Sequence, residues 1–233
     1  MKLLVFSDVH LDWVTHGVSR FEEIRTTMIG LAGMAIEENV DLVMFLGDFC
    51  DPDSGPVVYR AVNTMIGMAV SLREAGIKSL WIAGNHDVIE DGTGTTTLHP
   101  MQAIADDMVH VIQRPERIQL DGVTFVLLPF TATSHTYDPE EFAEGMLKDA
   151  TGPTVVAGHL TVPGIVPGEE TTDMPRGRDV RFPVEVTEGA TLRLNGHYHR
   201  QQKSESGIWI PGSLARLTFG EQKHNPGYLV VEV

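Results

Sequence analysis

The chain has 233 residues, 42% of them hydrophobic and 21% charged, which supplies a sizeable core and excludes a wholly disordered chain. Seventeen Lys and Arg against thirty-two Asp and Glu leave a formal net charge of −15. That balance argues against a general nucleic-acid coat or a membrane-surface protein, while leaving room for nucleic acid gripped locally through bound cations. The one cysteine, Cys50, excludes an internal disulfide framework and fits a reducing compartment. No apolar run approaches the ~18 residues of a membrane span. The opening stretch reaches Asp8 too soon for a signal peptide, so a cytoplasmic protein is expected.

The first third alternates apolar runs with helical periodicity. Leu3–Phe6 reads as a buried strand, and Arg20–Asn39 as a helix with Ile24, Met28, Leu31 and Met34 or Ala35 on one face. Asp41–Leu46 predicts a second strand, Pro56–Ala75 a second helix closed by Gly76, and Lys78–Ala83 a third strand. Such alternation implies a parallel sheet with right-handed crossovers. Short strand-like runs follow at Val109–Ile112, Ile118–Leu120, Val123–Leu128, Thr154–Ala157, Thr191–Leu194, Gly207–Ile210 and Tyr228–Val233. Asp121-Gly122 and Ser206-Gly207 mark hairpins among them. Pro139–Asp149 is the clear helix of this half, and Val162–Arg181 reads as a long irregular loop. No linker divides the chain, so one domain over residues 1–233, built of two packed mixed sheets with helices outside, is expected.

Five short motifs share one placement, each just after a strand: Asp8-Val9-His10, Gly47-Asp48-Phe49-Cys50-Asp51, Gly84-Asn85-His86-Asp87, Gly158-His159 and Gly196-His197-Tyr198-His199. Ligands of open α/β sheets bind beyond the carboxyl ends of the strands, so the first three converge on one crevice. Together the motifs offer carboxylate, amide and imidazole groups and need no thiol, a donor set for Mn²⁺, Fe²⁺ or Zn²⁺. In extended backbone, residues i and i+2 point the same way, so Asp8 with His10, and His197 with His199, each present two ligands together. Asp48, with two carboxylate oxygens, is a natural bridge between two ions. His86, beside Asn85, is placed to stabilise a transition state or protonate a leaving oxygen. Singly, an Asp-x-His or a Gly-His is more often coincidence than site; the joint occurrence carries the argument. Cys50 reads as a packing residue, and His16, His99, His110, His135 and His224 as loop or surface residues.

This ordered set resembles the calcineurin-like metallophosphoesterases over nearly the whole chain, Leu3 to about Glu232. The resemblance implies an α/β fold, a four-layer αββα sandwich of two mixed β-sheets, around a dinuclear centre. By position it assigns Asp8, His10, Asp48 and His199 to one metal, and Asp48, Asn85, His159 and His197 to the other. His86 matches the catalytic histidine, and Asp51 the acid that orients it. Implied cofactors are two divalent metal ions, Mn²⁺ first, with Fe²⁺ or Zn²⁺ as alternatives. His10-Leu11-Asp12 with Arg20, and Ile210–Arg216 followed by Phe219-Gly220-Glu221, resemble SbcD-type and Mre-type DNA nuclease subunits, which usually have Gly at the Asp12 position.

The resemblance therefore implies a metal-dependent phosphodiesterase acting on DNA as an exo- or endonuclease, through attack by a metal-bridged hydroxide. The expected partners are DNA, an SbcC-type ATPase supplied in trans and a second copy of the chain, the last through the Pro56–Ala75 helix, whose Met65, Ile66 and Met68–Val70 fit either an exposed pairing face or the core. No membrane partner is expected. Nuclease relatives usually continue into capping and ATPase-docking segments, which the stretch up to Val233 does not include. Arg20, Arg176, Arg178, Arg181, Arg200, Lys203 and Arg216 are candidate phosphate contacts, and Trp13 and Tyr198 candidate stacking residues. Two rival functions remain: hydrolysis of a small phosphoester such as a cyclic nucleotide, and a scaffold with structural metals. A spare histidine such as His86 has no use in a structural site.

Overall fold

The computed structural model describes residues 1–132, 136–166 and 180–233. Its first sheet is built from β1 (Lys2–Phe6), β4 (Leu42–Phe45), β5 (Lys78–Ile82) and β6 (Val109–Ile112), parallel and in that spatial order, with β13 (Leu229–Glu232) antiparallel to β1 at the edge. The second sheet runs β11 (Gln202–Lys203), β12 (Trp209–Ile210), β10 (Leu192–Asn195), β9 (Thr154–Gly158), β8 (Val123–Leu128) and β7 (Glu116–Leu120). Its centre is parallel and its two ends are antiparallel hairpins.

The central strands β1, β4, β5, β8 and β9 are nearly all buried and largely apolar because each sheet is covered there on both faces, whereas the edge strands carry polar residues. Alternate side chains go to different layers. Leu3, Val5, Leu42, Met44, Leu80 and Ile82 meet Phe125, Leu127, Val155 and Ala157 between the sheets. Leu4, Phe6, Val43, Phe45 and Trp81 face the other way, onto α1 (Phe21–Glu37) and α2 (Val57–Glu74). Val126, Leu128 and Val156 turn outward from the second sheet, onto Ala143 of α3 (Pro139–Leu147), Leu160 and Phe182. The result is the four-layer sandwich, with a far thinner outer layer on the second sheet.

Local chemistry accounts for the element ends. Helix α1 buries Ile24, Met28, Leu31 and Ala35, as the spacing predicts, and it lacks a side-chain N-cap, so packing holds it. Gly76, at φ +78°, closes α2 while Ile77 N–H donates back to the Leu72 carbonyl at 2.9 Å. Asp138 caps α3 by accepting from Glu140 N–H at 2.9 Å, with Pro139 opening the helix. Asp121 and Gly122, at φ +48° and +84°, form the predicted turn of the β7–β8 hairpin.

Three points bear on the sequence reading. A small hairpin, β2 (Val14–Thr15) with β3 (Val18–Ser19), follows the first motif and was not foreseen. Met65, Met68 and Ala69 of α2 are buried on the first sheet, which removes them from any free pairing face; Ile66 and Val70 are half-buried. Of the long loop Val162–Arg181, residues 167–179 lie outside the described residues, and with them the candidates Arg176 and Arg178, as does His135. Its ends are tied together, Thr161 N–H donating to the Val180 carbonyl at 2.9 Å.

Candidate metal centre

All five motifs leave the carboxyl ends of strands, Asp8, Asp48 and Asn85 after β1, β4 and β5, and His159 and His197–His199 after β9 and β10. Both sheets therefore feed one site. Two clusters form there, Asp8 with His10 and His199, and Asp48 with His159 and His197, the donor atoms of each within 4.8 Å of one another. The site is almost entirely closed off: Asp8, Asp48, His10, His159 and His199 are buried.

The backbone explains how short loops bring these groups together. Asp8, His10, Asp48 and His197 all have positive φ, between +43° and +78°. A left-handed residue with a side chain costs about 1–2 kcal/mol, so these four positions hold strain at the site. Hydrogen bonds keep them there. Asp8 N–H donates to the Gly47 carbonyl at 2.9 Å, and Val9 N–H to the Asp48 carbonyl at 2.9 Å, which zips the first two motifs together. Extended geometry was the premise for pairing His197 with His199. Asp8, His10 and His197 are not extended, at φ +51°, +43° and +78°, so the premise fails; the rings of His197 and His199 go to different clusters, as the family resemblance implied, while Asp8 and His10 share one. Between them, Tyr198 turns into the core of the second sheet, its hydroxyl accepting from Val162 N–H at 2.9 Å, so it is a packing residue and offers no stacking face. Gly84 is the one residue that fits its position, since a Cβ there would collide with Asp48 and His159.

Two residues unremarked at the sequence level organise these loops. Buried Asp87 accepts from the backbone N–H groups of Asp48 at 2.9 Å, Phe49 at 2.8 Å and Gly84 at 2.8 Å, and from the Thr97 hydroxyl at 2.9 Å. It clamps the second motif to the third. Buried Asn195 does the same for the fourth and fifth, donating to the Leu160 carbonyl at 2.8 Å and accepting from Leu160 N–H at 2.9 Å. Asp87 stands inside a motif, which was the available signal; nothing local marks Asn195.

Asp48 lies between the clusters. Its Oδ2 is 3.2 Å from His159 Nε2 and 3.7 Å from His10 Nε2, whereas its Oδ1 accepts the His86 backbone N–H at 2.8 Å. Oδ2 is thus the Asp48 oxygen within 4 Å of both His159 and His10. Asn85 Oδ1 sits 3.0 Å from His159 Nε2 and 2.9 Å from His197 Nδ1, joining the second cluster. His159 Nδ1 donates to the Leu46 carbonyl at 2.5 Å, which turns Nε2 inward. Burial, aided by neighbouring His159, drives His197 down to about pKa 3, and burial likewise lowers His10 well below the usual range. Both are held neutral, the form that ligates metal.

His86 occupies the open side of the site, its ring 5.0 Å from that of His10 and about a third exposed. Burial opposes charge on this ring, but Asp48 and Asp51 outweigh it and raise the pKa to about 9. Asp51 Oδ2 is 3.7 Å from His86 Nδ1, an ion-pair distance longer than a direct hydrogen bond. Cys50 is buried between these acids with its thiol pushed up by burial, consistent with packing and not with nucleophilic chemistry.

The residues fit a pair of divalent ions. Neither oxygen of buried Asp8 has a hydrogen-bond partner, an uncompensated carboxylate that a cation would satisfy. His10 Nε2 and His199 Nε2 face each other at 3.2 Å. Two nitrogens each ~2.1 Å from one tetrahedral ion stand about that far apart.

Comparison with known proteins agrees with this architecture. The chain is 24% identical over 211 residues to a DNA double-strand break repair protein Mre11 from Sulfolobus acidocaldarius, covering 87% of this chain and 50% of that protein. It is 28% identical over 117 residues to the protein of the same name from Sulfurisphaera tokodaii, covering 49% of this chain and 29% of that one. It thus spans half or less of the length of these curated relatives. The fold matches a dimetal phosphatase from Danio rerio with a TM-score of 0.56 at 13% identity, over 99% of this chain and 91% of that one. A family model described as calcineurin-like phosphoesterase matches residues 1–201, and the chain belongs to that family.

Proposed function

We propose that this protein is a two-metal phosphodiesterase whose substrate is DNA, with Asp8, His10, Asp48, Asn85, His159, His197 and His199 as the metal ligands. The observation that carries the DNA reading is the similarity to Mre11 repair proteins across 87% of this chain. The Asp, Asn and His donors suit borderline to hard cations, Mn²⁺ first, with Fe²⁺ or Zn²⁺ as the alternatives. When bound, such ions polarise a phosphoryl oxygen and acidify a water molecule. The chain's own residues do the rest. Asp48 Oδ2 ties the two clusters into one centre, Asp87 holds the loops that carry Asp48 and Asn85, and His86 presents its ring at the open side. There the acids around it keep a proton available for the leaving oxygen. Asp51 biases the charge of that ring through space.

Phosphate contacts must come from few cations on so acidic a surface. Arg20 is taken up by Glu23 at 2.6 Å, Arg216 donates to the His224 carbonyl at 2.8 Å, and Lys203 lies over the Trp209 ring at 4.6 Å. Exposed Arg200, next to His199, is the better placed candidate. An SbcC-type ATPase is the partner this reading directs a search toward.

The test is Mn²⁺-dependent degradation of end-labelled linear DNA beside hydrolysis of bis-p-nitrophenyl phosphate, for wild type and His86→Ala. DNA cleavage that is lost in the variant supports the reading. Hydrolysis of the chromogenic ester without DNA cleavage keeps the metal chemistry and replaces DNA with a small phosphoester such as a cyclic nucleotide. No hydrolysis of either, with metal bound, returns the scaffold alternative.

A further inference from the structure

The first cluster has a buried anion behind it that no ligand motif contains. Glu221 lies in a 3-10 turn, Phe219–Lys223, and is fully buried. Its Oε1 is 3.0 Å from His199 Nδ1, and its Oε2 accepts the Leu217 N–H at 2.5 Å. A carboxylate offers only acceptors, so the ring proton of His199 belongs on Nδ1 and the lone pair on Nε2. That lone pair is the one facing His10 Nε2.

The same carboxylate reaches the other side of the cluster. Leu217, held through its N–H, presents its carbonyl to Trp13 Nε1 at 2.8 Å and to the Thr15 hydroxyl at 2.6 Å. Trp13 in turn lies against His10, ring centroids 5.7 Å apart. A chain of contacts thus runs from His199 through Glu221, Leu217 and Trp13 back to His10. Two imidazoles that approach from different sheets are fixed relative to each other by one buried acid.

We infer that Glu221 is a positioning residue that sets the tautomer and ring orientation of His199 and thereby the affinity of the first cluster for its ion. The inference rests on the metal-centre reading above. Outer partners of this kind typically change metal affinity by about 10- to 100-fold when removed. Glu221→Gln is the informative change. It keeps the shape but leaves one acceptor where there were two, so the His199 and Leu217 bonds compete.

The test measures Mn²⁺ binding by equilibrium dialysis for wild type and Glu221→Gln, with ¹⁵N spectra of the histidine rings in the metal-free protein. Expected are two ions in wild type, one of them bound about 10- to 100-fold more weakly in the variant. Wild-type His199 is expected to show the Nδ1–H form, and the variant a mixture. Two unchanged affinities in a variant that melts earlier would reduce Glu221 to a structural tether and overturn the inference. Fewer than two ions in the wild type would instead remove the metal reading on which it rests. Should Glu221→Gln not fold, the wild-type spectrum decides alone, because an Nε2–H form of His199 contradicts the proposed role.

Discussion

The two clusters are built from similar residues and are satisfied very differently. In the second, burial opposes charge on His159, but Asp48 outweighs it and raises the pKa to about 9. This ring, charged at neutral pH, donates from Nε2 to Asp48 and Asn85 at 3.2 and 3.0 Å, while His197 contacts Asn85 at 2.9 Å. In the first, Asp8 has two oxygens without a partner, and two imidazole nitrogens confront each other at 3.2 Å. A buried polar group left unpaired costs about 1–3 kcal/mol, more when charged. The second cluster is thus close to self-sufficient, whereas the first is assembled at a cost that a cation would relieve. A cation should therefore stabilise the fold mainly through the first cluster, while the second keeps its shape in either state.

The sharpest way to break this contrast is Asp48→Ala, which removes the oxygen between the clusters. The expected result is loss of at least one ion by elemental analysis; two fully occupied sites would show that Asp48 is not shared. Next in size, His86→Ala should cut turnover by about 10²–10⁴-fold with both ions retained, since this ring belongs to neither cluster. Loss of metal in that variant would make His86 a ligand. Asp87→Asn should lower stability by about 3 kcal/mol, because several donors then lack a full carboxylate. At 2–4 °C per kcal/mol for a chain of roughly this size, its melting temperature should fall by about 6–12 °C. An unchanged melting curve would mean that the loops do not depend on this clamp. The smallest effect separates the clusters directly. Asp8→Asn should raise the stability of the metal-free protein by about 1 kcal/mol and reduce the stabilisation gained on adding Mn²⁺. A lower melting temperature without metal would show that Asp8 is not an uncompensated charge.

Much of the candidate site was legible in the sequence because the residues that cluster there stand at strand ends, where a change from apolar to polar residues is a local signal. Strands β1, β4 and β5, helices α1 and α2 and the Asp121-Gly122 turn follow from periodicity and turn chemistry in the same way. The β2–β3 hairpin did not, because what holds it is distant: Trp13 and Thr15 both donate to the carbonyl of Leu217, some two hundred positions away. Asn195 was missed for that reason too, and Glu221, though part of a quoted motif, gave no sign of its contact with His199; each acts on a histidine loop through contacts that only the tertiary fold creates. The division of His197 and His199 between clusters was legible through the family resemblance and not through spacing, because it goes with a positive φ that no spacing rule predicts at a residue with a side chain.

The lone cysteine has a practical consequence. Cys50 is the chain's single thiol, and it is buried in the loop between Asp48 and Asp51, held shut by the Asp87 carboxylate. A thiol-specific reagent reaches it only when that loop swings out, so labelling kinetics become a clock for opening of the active-site floor. Conditions that tighten the floor should lengthen the labelling half-life, and because no other sulfhydryl competes, the readout needs no engineered probe.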